Sequence, residues 1–143
     1  MRYRLLLSML GLLAISSTPS AQPIATLDGT WRAVAAERDG KSAADVIGHR
    51  LTFAGGTFTI TRGRDGKPLY AGTYKTDPAK QPAQIDFDIN AGPKGNWKGI
   101  YVLDGVSLKT CDNAPDPAKA RPTAFVAPAG SGHIFITFTR EKS

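Results

Sequence analysis

From Thr30 onward, apolar and polar positions alternate over short runs, and each run stops at a turn dipeptide. Alternation lays one face of an extended chain against a core and the other in water, so this pattern predicts antiparallel strands. Trp31, Ala33 and Ala35 alternate with Arg32, Val34 and Ala36 in a first strand that stops at Asp39-Gly40. Leu51 and Phe53 mark a second strand. Phe58 and Ile60 mark a third, with Thr57, Thr59 and Thr61 on its other face. Asp65-Gly66 is a hairpin signal. A fourth strand runs from Leu69 to about Lys75. The fifth is the clearest, because Ile85, Phe87 and Ile89 alternate with Gln84, Asp86 and Asp88. Trp97–Leu103 and Val106–Thr110 flank the Asp104-Gly105 turn as strands six and seven. His133–Arg140 is the last, with Ile134, Ile136 and Phe138 on one face.

Two stretches break the alternation. Ser42 reads as the N-cap of one helical turn over Ala43–Ile47, closed by Gly48. Asp112–Pro128 carries Pro115, Pro117, Pro122 and Pro128 and reads as loop, with a further helical turn near Thr123. Eight strands joined mostly by tight turns pair in sequence order, and that order closes well into a barrel. The expected fold is therefore all-β, a small eight-stranded up-and-down antiparallel barrel, with a sandwich as the alternative. Gly72 and Gly99 mark two strands that bend.

The first residues follow a different pattern. Arg2 and Arg4 precede the apolar run Leu5–Ile15, and small residues follow it up to Ala21. The run is too short to span a bilayer and suits a signal peptide. This predicts a leader over 1–21, a single domain over 22–143, and a secreted or periplasmic protein.

Charge adds little. The chain has 18 Lys and Arg against 12 Asp and Glu, and the predicted leader removes two of the positive charges. The remainder are scattered, without the basic, aromatic-interleaved patch of a nucleic-acid binder. Cys111 is the only cysteine, so no internal disulfide can form and a packed core must supply stability. It reads as a buried small hydrophobe, a free thiol or an intermolecular bridge. His49 lies in phase with Leu51 and Phe53, and His133 lies out of phase with Ile134. Two histidines without a nearby carboxylate or thiolate cluster do not make a metal site. No nucleophile elbow or paired-carboxylate arrangement stands out, so the chain reads as a binding protein without cofactor rather than an enzyme.

Gly29-Thr30-Trp31 at the first strand, with Arg140 in phase with the inward residues of the last, resembles the lipocalin signature. In that arrangement an indole plugs one end of the barrel and a guanidinium stacks on it. The chain from Leu27 to Glu141 also resembles an uncharacterised family of small exported lipocalin-like domains abundant in planctomycetes and related bacteria. The matching segments are LDGTW at 27–31, AERDG at 36–40, LTF at 51–53, GTY at 72–74, GIYVLDG at 99–105, RPTAF at 121–125 and GSG at 130–132. The resemblance implies fold and export and transfers no activity.

Two functions fit such a chain. One is a carrier of a small apolar molecule, with Ala33, Ala35, Phe53, Phe58, Tyr74, Phe87 and Tyr101 lining the barrel interior and Trp31 and Arg140 closing it. The other is an interaction or inhibitor module of the cell envelope, acting through the loops Asp77–Pro82 and Asp112–Pro128.

Overall fold

The computed structural model describes residues 26–142, and the leader expected over 1–21 lies outside them. The strands are β1 (Gly29–Arg38), β2 (Lys41–Ser42), β3 (Arg50–Ala54), β4 (Thr57–Thr61), β5 (Pro68–Asp77), β6 (Gln84–Ala91), β7 (Gly95–Asp104), β8 (Ser107–Asp112) and β9 (Ile134–Arg140). Each long strand pairs antiparallel with the next, and β1 also pairs with β9. The result is a closed eight-stranded up-and-down barrel. β2 is a two-residue rung added to β1 through Glu37↔Ser42 and Arg38↔Lys41.

The barrel has two different ends. β1 starts at the end where Trp31 pairs with Leu51 and Arg140, and it finishes at the end where Arg38 pairs with Ile134. The first end is filled. Trp31 is fully buried, its indole N–H donates to Leu27 O (2.8 Å), and the Arg140 guanidinium lies 4.2 Å from its ring centroid. Arg140 also donates to Asp28 O (2.6 Å) and Thr26 O (2.8 Å), tying down the chain that enters β1. Gly29 is the residue this arrangement requires. Its φ is +126°, and a Cβ there would lie 2.8 Å from Arg140 Nη1. Above the plug, Phe53 meets Tyr74 edge-on at 4.6 Å, and Phe58 meets Phe87 at 4.9 Å.

A second apolar cluster sits outside the barrel. Ile100 and Cys111 are cross-strand partners, Cys111 pairs with Phe135, and all three lie on the outer face. Residues 113–133 cross this face as a strap. Phe125 packs on Phe135 at 6.1 Å, Ala127 is fully buried, and the Cys111 thiol donates to Val126 O (3.3 Å). Arg121 pins the strap by donating to Gly99 O (2.8 Å) and Ile85 O (3.3 Å) while pairing with Asp86 (2.7 Å). Asn113 adds a side-chain rung: its Oδ1 accepts from Lys98 N–H (2.8 Å) and its amide donates to Lys119 O (2.7 Å).

Three local expectations are corrected. Ala35 is exposed rather than inward, because β1 is bulged against β9 between Ala33 and Ala35. One extra residue reverses the parity, so Val34 and Ala35 both face out and Ala36 packs on the core. Ser42 does not cap a helix. It belongs to β2, and the turn that follows is a 3-10 turn over Ala44–Val46 without a side-chain cap. No helical turn forms near Thr123; the segment bends across the sheet, with Pro122 buried in it.

Candidate functional site

The end opposite Trp31 is not filled. A cavity of about 290 Å³ enters the barrel there, which is room for on the order of ten water molecules and is close to the lower end of small-molecule sites. Its walls are apolar: Leu51 from β3, Ile60 from β4, Tyr70 from β5, Phe87 from β6, Trp97 from β7, and Ile134, Ile136 and Phe138 from β9. Each is there because strand parity turns alternate residues inward. Trp97 stands edge-on to Tyr70 at 4.9 Å and to Phe87 at 6.0 Å, so three aromatic rings are held together in one wall.

The polar groups stand at the rim and on one wall. Arg38, at the end of β1, holds Asp45 of the 3-10 turn through two bonds of 2.8 and 3.2 Å. This raises the Arg38 pKa and lowers that of Asp45, the shared hydrogen bond being the main cause of both. His49 lines the cavity beside them, and desolvation lowers its pKa below the usual 6.5. Thr110 and Asp112 line it from β8, next to Ala114 and Pro115 of the strap. Asp112 is only 6% exposed. Among the described residues its side chain makes one hydrogen bond, Oδ1 accepting from Ala114 N–H (2.9 Å). Burial without a cationic partner pushes its pKa up to about 7.

The residues expected to line a ligand site divide sharply. Phe87 lines the cavity. Ala33, Phe53 and Phe58 are buried, and Tyr74 and Tyr101 are half-buried, but all five belong to the packing around the filled end. Ala35 is on the outside. Trp31 and Arg140 form the plug and not the site. His49 does face the rim, while His133 lies outside, its Nε2 2.9 Å from Ala120 O in the strap.

The sequence pattern hides Asp112, because it reads there as the first residue of a loop. It is the last residue of β8, and Leu108, Thr110 and Asp112 share one parity. That parity is the signal that could have found it. Cys111 hides the signal, since an apolar residue buried on the outer face makes the end of the strand look irregular. Trp97 and Tyr70 were legible as inward residues but not as a cavity wall.

Comparison of the chain with known protein families, with curated proteins and with solved structures returned no match. The functional reading therefore rests on the cavity itself.

Proposed function

We propose that this protein is an exported carrier that holds one small, largely apolar molecule in the open half of its barrel. The observation that carries this reading is the cavity of about 290 Å³, walled by Leu51, Ile60, Phe87, Trp97, Ile136 and Phe138, in a barrel whose other end is packed shut. Burying an apolar ligand there removes aromatic and aliphatic surface from water at about 25 cal/mol per Å². The wall is already built by strands, so little ordering accompanies binding. Export rests on the sequence of residues 1–21, and the lipocalin-like resemblance is consistent with both parts.

The loop-mediated alternative has less support. Its main contact element, the proline-rich segment, is packed on β7, β8 and β9 and held by Arg121, Asn113 and Cys111. The direct test is a two-dimensional NMR titration with propylbenzene. Shifts of the amides around Leu51, Ile60, Trp97 and Ile136 should saturate, with a dissociation constant on the order of 0.1–1 mM for a ligand of nine heavy atoms. Shifts confined to the outer face, or none, would refute the carrier reading.

A further inference from the structure

Among the described residues the cavity carries one carboxylate without a cationic partner, Asp112, which is 6% exposed. No fully buried side-chain oxygen among them lacks a hydrogen bond, so Asp112 Oδ2 is open to the cavity. The charged and titratable groups lining it besides Asp112 are Arg38, Asp45, His49, Arg50 and Tyr70. Arg38 is engaged by Asp45, and Arg50 by Glu141 at 2.7 Å. Burial disfavours the charged form of His49. The elements against Asp112 itself present no cation: β7 brings Gly99, β9 brings Ile134, and the strap brings Ala114 and Pro115. Oδ1 is used by the Ala114 N–H, and Oδ2 has no donor among the described residues. An asparagine would make the same bond to Ala114 without the cost of desolvating a carboxylate. What aspartate adds at this position is negative charge, inside a cavity whose wall holds Phe87, Tyr70 and Trp97.

We infer that Asp112 is the recognition residue of this cavity and that the ligand class is a small amine with an aromatic or branched aliphatic body. The ammonium donates to Asp112 Oδ2, and the body lies against Trp97 and Phe87. A cation there gains a charge-assisted hydrogen bond in a desolvated site and the attraction of nearby aromatic faces. A carboxylate ligand would face the same charge with opposite effect. Gly99 makes the placement possible, since a Cβ there would lie 2.8 Å from Asp112 Cβ. The inference rests on the carrier reading and adds the ligand's polar group to it.

The test compares phenethylamine, propylbenzene and 3-phenylpropanoate by calorimetry at pH 8, where both the amine and the Asp112 carboxyl are charged. The amine should bind at least about tenfold more tightly than propylbenzene, and 3-phenylpropanoate more weakly than either. Asp112→Asn should remove the amine's advantage over propylbenzene. In the wild type, amine affinity should also fall between pH 8 and pH 5 as Asp112 takes up its proton, which keeps the test valid if the variant folds poorly. Equal binding of amine and propylbenzene, or an amine preference that survives Asp112→Asn, overturns the inference and leaves the carrier reading standing. Binding of none of the three overturns both.

Discussion

Trp31 and Arg140 meet across the β1–β9 seam, and their contact is where single side chains matter most to the fold. Trp31→Ala should destabilise by about 3 kcal/mol or more. In a double-mutant cycle by urea unfolding, Trp31 and Arg140 should couple by about 1 kcal/mol. Purely additive effects would mean that the stacking contributes nothing. Arg140→Lys should not restore the loss, because an ammonium cannot stack flat while donating to both Asp28 O and Thr26 O. This pair was legible in the sequence, since its spacing depends only on strand parity at the two chain ends. Asp112 was not, and it leaves its own mark on stability. Its folded pKa of about 7 lies above the ordinary 3.8, so the folded state binds the proton more tightly. Stability should therefore fall as pH rises from about 4 to about 7, with a slope approaching 1.4 kcal/mol per pH unit, and stay flat above that as far as this group is concerned. Asp112→Asn should remove that component, which urea unfolding across this pH range would reveal. Identical pH dependence in both proteins would contradict the burial of an ionisable group.

Among the elements, the strands followed from alternation, whereas their irregularities did not. The bulge in β1 turned Ala35 outward, and nothing in Trp31–Ala36 announces it, since both parities offer alanines. The stretch Asp112–Pro128 reads as loop because proline removes backbone donors and interrupts periodicity. In the structure 113–133 form a strap tied by the side chains of Asn113, Arg121 and Cys111 and by backbone bonds such as Gly40 N–H to Ala127 O (2.7 Å). Each is invisible to a pattern of apolar positions. Cys111 is fully buried under it, with its pKa pushed up to about 11 chiefly by desolvation. A thiol reagent should therefore leave Cys111 unmodified in the native protein at pH 8. Arg121→Ala should loosen the strap first. Cys111 labelling and amide exchange at Asn113 should both accelerate in that variant while the far-ultraviolet circular dichroism of the barrel is unchanged. Labelling at the wild-type rate would show that Arg121 does not hold the strap.

For the molecule as a whole, the closed barrel was legible because eight consecutive strands leave few other ways to pair, and closure removes the exposed edges of an open sheet. Whether its interior would be open or filled was not legible. The answer is divided by height: Trp31, Phe53, Phe58 and Tyr74 fill one half, and the other half retains about 290 Å³. That outcome depends on summed side-chain volumes at each level of the barrel, which a list of inward residues does not give. The export reading predicts a mature chain beginning near Gln22, checked by the intact mass of protein recovered from the periplasm or medium. The full-length mass there would contradict it. The carrier claim itself is tested most directly by native mass spectrometry of the protein isolated from its own host, wild type beside Ile136→Trp. The indole would occupy the cavity at a cost the barrel can tolerate, on the order of 1–3 kcal/mol. The account predicts a single small-molecule mass excess on the wild type, released by collisional activation and missing from Ile136→Trp. A bare wild-type mass, or the same excess on both proteins, would contradict it.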